Sequence, residues 1–73
     1  MYISVKYEAG DGWSARSYTY ECAIPDVKLG DIVSAPTSGN PAAKAMVCGV
    51  NMPKPSFPCK VIKDRWTEEE GNG

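Results

Sequence analysis

Apolar and polar residues alternate along two stretches near the start of the chain. From Tyr2 to Ala9 the odd positions are apolar and the even positions mostly polar, and Ser14 to Ala23 alternates with the same period. A period of two predicts a strand with one buried face. Between the two stretches, Gly10-Asp11-Gly12 favours a tight turn because these residues adopt positive φ at little cost. We therefore predict an antiparallel hairpin, whose second strand presents on one face Arg16, Tyr18, Tyr20 and Cys22.

Prolines and glycines divide the middle of the chain. Pro25 ends the second predicted strand because it has no N–H to donate to a sheet. A turn is predicted over residues 26–30, and Gly30 supplies backbone freedom just before Asp31-Ile32-Val33 re-enters the sheet. Residues 36–41 contain two prolines and a glycine, which predicts a loop.

The second half of the chain predicts two more strands. Lys44 to Asn51 is the longer one, and Gly49 inside it indicates a bulge or a tight bend. Met52 to Pro58 contains three prolines and is expected to run extended, and Cys59 to Ile62 is expected to form a short closing strand. The pattern predicts an all-β fold, a small SH3-like barrel or roll of about five short strands.

The length of 73 residues limits the chain to one domain, which we place at residues 1–66. Residues 67–73 are acidic and glycine-rich and are predicted to form a flexible tail. The longest apolar run, Ala45 to Val50, is far shorter than a membrane span, and Met1 is followed by no basic or apolar leader. A cytoplasmic location is therefore expected, in the host cell if the gene belongs to a virus.

The number of cysteines and the net charge limit the kinds of functional site that this chain is expected to have. The three cysteines are odd in number and widely spaced, and the chain has no histidine, so we predict no metal site, no cofactor and reduced, buried thiols at Cys22 and Cys48. Eight basic and nine acidic residues give a net charge of −1, which argues against strong nucleic-acid binding. The carboxylate pairs Glu8 with Asp11 and Asp26 with Asp31 lie in or beside turns, and no histidine is present to act as a base beside a nucleophile, so no enzymatic activity is predicted.

Two sets of residues are candidates for binding. Aromatic residues beside turns tend to anchor interfaces, which predicts a protein-binding set: Trp13, Pro53, Pro55, Phe57 and Trp66. Tyrosines stacked beside cations offer a platform for nucleic-acid bases, which predicts an alternative set: Arg16, Tyr18, Tyr20, Lys44 and Lys60. The tyrosines are equally candidates for the core, since the chain has a single phenylalanine.

A motif running from Tyr18 to Val50 resembles the N-terminal DNA-binding domain of the primosomal helicase PriA. Its parts are Tyr18-Thr-Tyr20, Pro25, Gly30-Asp-Ile-Val33-Ser-Ala-Pro36 and Met46-Val-Cys-Gly-Val50. The chain is similar as well to short uncharacterised bacteriophage proteins with the same Gly-Asp-x-Val-x-x-Pro signature. The resemblance implies a compact PriA-N-like barrel able to bind the 3′ end of a DNA strand, although residues 37–41 are neutral where the family has basic residues.

Three functions follow as hypotheses. The first is a non-enzymatic bacteriophage or mobile-element protein that binds a host or viral protein, with inhibition of that partner as one form of its action. The second is a module that binds single-stranded DNA or a DNA 3′ end. The third is a homo-oligomeric structural or assembly component, which the thin stability margin of so short a chain favours.

Overall fold

A computed structural model describes residues 1–67 and contains six strands and no helix in that range. The strands are β1 (Tyr2–Ala9), β2 (Gly12–Trp13), β3 (Tyr18–Cys22), β4 (Ile32–Ala35), β5 (Ala43–Met52) and β6 (Val61–Ile62). They form one sheet in the order β4-β5-β1-β3-β6, with β2 paired to β1 alone. All pairs are antiparallel except β3 with β6. The predicted all-β fold is confirmed.

The sheet is open rather than a closed barrel. Its two outer strands, β4 and β6, do not pair with each other as strands. Residues that follow β6 approach β4 instead: Val33 and Arg65 form an isolated bridge, Ser34 N–H donates to Asp64 O at 3.0 Å, and Trp66 N–H donates to Ile32 O at 3.0 Å. These few bonds join the two ends of the sheet along Ile32 to Ser34 of β4.

The predicted hairpin is present, but its second strand is interrupted. β1 pairs with β3 in antiparallel register from Tyr2–Glu21 to Val5–Tyr18. The prediction of one strand over residues 14–23 is wrong in its first half, because the chain leaves the sheet between Trp13 and Tyr18. Ser14 causes the break: its Oγ accepts the N–H of Tyr7 at 3.0 Å and donates to Arg16 O at 2.8 Å. Arg16 therefore lies exposed in a bend rather than on a strand.

The core is built from the inward faces of the strands. Ser4, which the alternation places on the polar face of β1, is buried as well, so the prediction of a single buried face is wrong there. On the odd face the prediction is confirmed at Ile3 and Val5, which are fully buried. They pack with other apolar side chains: Tyr20, Cys22, Ile24, Val27, Val33, Ala35, Ala45, Val47 and Ile62. Burial of this apolar area supplies the main driving force for folding, at about 25 cal/mol per Å².

The cysteines differ in their surroundings. Cys22 is buried, as predicted, but Cys48 is exposed, so that prediction is wrong. The reason is strand parity: Ala45 and Val47 point into the core, which turns Cys48 outward. The bulge predicted at Gly49 is confirmed by the shifted register of β5 on β1, where Ser4 faces Gly49 and Val5 faces Val47.

The C-terminal part of the chain is mostly irregular. Residues 53–60 join β5 to β6 without a strand, so the predicted strand over residues 59–62 is reduced to Val61–Ile62. Residues 68–73 of the predicted tail lie outside the described residues, and Thr67 is exposed. No helix suited to crossing a membrane occurs in residues 1–67.

Candidate binding groove

A groove of about 600 Å³ opens between Tyr7 of β1 and three further segments of the chain. One wall is formed by Tyr7 and residues 16–20, which include the start of β3. The opposite wall is formed by residues 36–38, directly after β4, and the groove is completed by residues 57–60, directly before β6. A volume of this size falls in the range typical of ligand clefts, about 300–1,000 Å³.

Aromatic side chains form much of this groove. The rings of Tyr7 and Tyr18 lie 4.9 Å apart between centroids and are tilted by 41°. Tyr20 meets Tyr7 edge to face at 6.4 Å. Tyr20 is buried, whereas Tyr18 is 39% exposed and Phe57 is 58% exposed. The tyrosines thus divide between core and surface, and two aromatic side chains remain available to a ligand.

Tyr20 links the two walls through its hydroxyl. It donates a hydrogen bond of 2.8 Å to the backbone carbonyl of Pro36 and is also hydrogen-bonded to the Tyr7 hydroxyl. Burial raises the pKa of the Tyr20 phenol above its usual value, and the hydrogen bond with Tyr7 adds to that shift. Tyr20 therefore stays protonated and remains a donor to Pro36 at any ordinary pH.

The charge of the groove is positive. Arg16 and Lys60 line it and are exposed, and among residues 1–67 no aspartate or glutamate lines it. Within residues 1–67, neither cation is held in an ion pair with a carboxylate. Two cations that no carboxylate of the described residues pairs with favour an anionic ligand, in a protein whose net charge is −1.

The structure brings part of each predicted set to the groove. Of the alternative nucleic-acid set, Arg16, Tyr18, Tyr20 and Lys60 line it, whereas Lys44 lies outside and its Nζ is 3.6 Å from Glu8 Oε2. Of the protein-binding set, Phe57 alone lines it. The remaining members lie elsewhere, either half-buried or on the surface: Trp13, Pro53, Pro55 and Trp66.

Sequence reasoning missed several contributors to the groove, among them Thr19 and residues 36–38. Thr19 was assigned to the opposite face of its strand from the tyrosines, and residues 36–38 were treated only as a loop. The parity of a strand locates its side chains but does not reveal which backbone edge stays unpaired. The approach of residues 36–38 depends on the Tyr20–Pro36 hydrogen bond, a contact between residues distant in sequence.

A second polar cluster lies away from the groove. Arg65 Nη2 is 3.0 Å from Asp26 Oδ1 and 3.3 Å from Asp31 Oδ2. The hydrogen bond from Arg65 lowers the pKa of Asp26 below its usual value. Asp31 also accepts the N–H of Lys28 at 2.9 Å, which closes the turn before β4. The cluster attaches the chain that follows β6 to this turn.

Comparison with known proteins adds no relative. Nothing matches this chain among protein-family models, curated proteins or solved structures. The likeness to the PriA N-terminal domain stays a prediction that rests on the Tyr18–Val50 motif. Among residues 1–67 no group of three or more potential metal ligands lies together.

Proposed function

We propose that this protein is a non-enzymatic binding module that holds part of a partner protein in the groove. The observation that carries the proposal is the combination of exposed Phe57 and Tyr18 with Arg16 and Lys60 in one groove that no carboxylate of residues 1–67 lines. Exposed aromatic and arginine side chains are the residues that most often anchor protein interfaces. The resemblance of the Gly30-Asp-Ile-Val33-Ser-Ala-Pro36 motif to short bacteriophage proteins, which stays a prediction, favours a host or viral protein as the partner.

Affinity capture with matched variants tests the proposal. The immobilised protein is exposed to a bacterial cell extract beside Phe57→Ala and Arg16→Glu, and retained proteins are identified by mass spectrometry. Leu29→Ala is the control for Phe57, because Leu29 is 64% exposed and lies outside the groove. Lys54→Glu is the control for Arg16, because Lys54 is an exposed cation outside the groove.

The expected result is a protein retained by the wild type and by both controls but lost with Phe57→Ala and weakened by Arg16→Glu. Capture of the same proteins by all five forms would show that the groove is not the binding site. Far-ultraviolet circular dichroism of each variant verifies that the fold is kept. These changes are at exposed positions, where substitutions usually alter stability by about 0.5 kcal/mol or less.

Single-stranded DNA is a second candidate ligand for the same groove. The observation that favours it is the meeting of Arg16, Tyr18, Tyr20 and Lys60 in one place, together with the PriA-like motif. Anisotropy of a labelled 3′-ended single strand, titrated with protein at low and at physiological salt, tests it. Two phosphate contacts predict a slope of log K against log salt of about −1.4. Affinity that is absent or insensitive to salt excludes this candidate.

A further inference from the structure

The start of β3 has a backbone edge that its neighbours leave unpaired. Residues of an antiparallel pair alternate between those that exchange hydrogen bonds with the partner strand and those that point away from it. Glu21 N–H points away from β1, since it donates to Lys60 O at 3.1 Å. Thr19 lies two residues earlier and has the same parity, so its N–H and C=O also face away from β1.

The strand that should cover this edge stops short of it. β6 pairs with β3 only at Glu21 and Cys22, and no backbone hydrogen bond joins Thr19 to Lys60 within residues 1–67. If the parallel ladder continued, Thr19 N–H would donate to Pro58 O and Lys60 N–H would donate to Thr19 O, and neither bond is formed within residues 1–67. The position beside Thr19 in the sheet is therefore open, and it lies in the groove, which Thr19 helps to line.

The same edge faces the gap between the two ends of the sheet. At Asp64 and Trp66 the chain after β6 bonds to β4, but at Pro36 the partner is a side chain, the Tyr20 hydroxyl. An extended segment beside Thr19 would therefore enter a position that no strand of residues 1–67 occupies. Unpaired sheet edges pair readily with an added strand, and main-chain hydrogen bonds then supply affinity.

We propose that the partner protein inserts an extended, acidic segment beside Thr19, where it adds a short strand to the edge of β3. This proposal rests on the proposed function and specifies which kind of segment of the partner occupies the groove. The backbone of the segment bonds to Thr19 N–H and C=O. A carboxylate in it faces Arg16 and Lys60, which share the groove with no carboxylate of the part of the chain that the structure describes, and an apolar side chain contacts exposed Phe57.

Selection from a randomised library of short displayed peptides provides the probe. The expected result is enrichment of sequences with aspartate or glutamate near β-branched or aromatic residues, with no proline in the paired part. An enriched peptide is then synthesised with N-methyl groups on alternate backbone nitrogens. Methylation of one alternate set should abolish binding, whereas methylation of the other set should leave binding intact, because only one set faces the edge.

Amide hydrogen exchange locates the new bonds. At a free peptide concentration of about 100 Kd, exchange of the Thr19 amide should slow by about 100-fold, because the amide is exposed only in the unbound fraction. The Lys54 amide is the internal control, since Lys54 is exposed and lies outside the groove, and its exchange should be unchanged. Arg16→Glu should lower the affinity for the peptide, whereas Lys54→Glu should leave this affinity unchanged.

Several outcomes would overturn the strand addition. These are a library that enriches no acidic sequences, an enriched peptide indifferent to the position of its N-methyl groups, or binding without protection of Thr19. Binding of single-stranded DNA with no enrichment of peptides would assign the groove to nucleic acid. Capture from the extract that still depends on Phe57, together with unchanged hydrogen exchange at the Thr19 amide, would support the binding function and exclude the strand addition.

Discussion

The Tyr20 hydroxyl donates a hydrogen bond of 2.8 Å to the carbonyl oxygen of Pro36 and joins two parts of the sheet that no strand pairing connects. Tyr20 belongs to β3 and Pro36 follows β4, which lies at the opposite end of the strand order. A single phenol thus performs at this position the role that a neighbouring strand would have in a closed barrel. Because it is buried, its loss leaves polar groups with no easy replacement.

Tyr20→Phe is expected to destabilise the protein by about 1–3 kcal/mol, because the Pro36 carbonyl and the Tyr7 hydroxyl lose a buried partner. Urea unfolding followed by fluorescence measures the change. Tyr18→Phe is the matched control: no hydrogen bond of the Tyr18 hydroxyl is present within residues 1–67, and its stability should be nearly unchanged. Equal stabilities of the two variants would show that the Tyr20–Pro36 bond contributes little.

Asn51 adopts a left-handed backbone conformation, with φ of 54°. Asn51→Val is expected to cost about 1–2 kcal/mol, since a β-branched side chain is disfavoured there. Asn51→Gly should be close to neutral, because glycine adopts this conformation freely. Asn51 is exposed, so neither change removes buried contacts. Urea midpoints of the two variants that coincide would contradict the prediction.

Arg65 is expected to make stability depend on pH through Asp26. Because the hydrogen bond from Arg65 lowers the folded-state pKa of Asp26, its stabilising contribution is present above the unfolded-state pKa, about 4, and is lost as the pH falls through the lowered value. Arg65→Gln should therefore lower stability at neutral pH and bring the Asp26 pKa back toward its usual value. The difference in stability between Arg65→Gln and the wild type should disappear as the pH falls below the lowered pKa of Asp26.

Two measurements check this pH dependence. Carboxyl chemical shifts followed by NMR give the pKa of Asp26 in each form, and urea midpoints across the acid range give the stability gap. Lys63→Gln is the control, because Lys63 is an exposed cation near Arg65 in the chain that forms no ion pair within residues 1–67. A gap that stays constant from neutral pH into acid would exclude the linkage to Asp26.

The three free thiols are expected to react at different rates with a thiol reagent. Cys48 is exposed and should react rapidly in the folded protein, Cys59 is half-buried and should react more slowly, and Cys22 should react only on unfolding. Mass spectrometry of the modified protein over time identifies each site. Cys48→Ser should remove the fast phase alone, and a fast phase that persists in this variant would contradict the assigned burial.

The sequence patterns correctly predicted those strands and turns that are determined by residues close together in the chain. The alternation around Ile3 and Val5 marked the buried face of β1, and Gly30, with φ of 91°, lies at the predicted turn before β4. The break before Tyr18 escaped prediction because it depends on Ser14 Oγ bonding the backbone of Tyr7, a contact that alternation does not encode. Cys48 was predicted to be buried because cysteine usually is, whereas its position in β5, next to inward-facing Val47, turns it outward.

The groove was predicted in part, for a different reason. Residue chemistry identified Arg16, Tyr18 and Lys60 as candidates for binding, and the structure places all three in the groove. Their neighbourhood depends on the parallel pairing of β3 with β6, whose partners are 40 residues apart in the chain, as Glu21 and Val61 are. A periodic pattern carries no information about such a pairing. The position of Lys44 outside the groove likewise depends on a pairing between strands, since Lys44 lies on β5 opposite Ser34 of β4.

The central position of β1 has a consequence for the speed of folding. β1 lies between β3 and β5, and its pairing with β5 joins residues as distant as Tyr2 and Met52. The hairpin of β1 with β3 closes a short loop and is expected to form first, within microseconds to tens of microseconds. The ladder with β5 has to wait until a much longer loop closes, and proteins dominated by such distant pairings fold in milliseconds to seconds. A nascent chain therefore carries the unpaired inner edge of β1 until residues 43–52 have been synthesised.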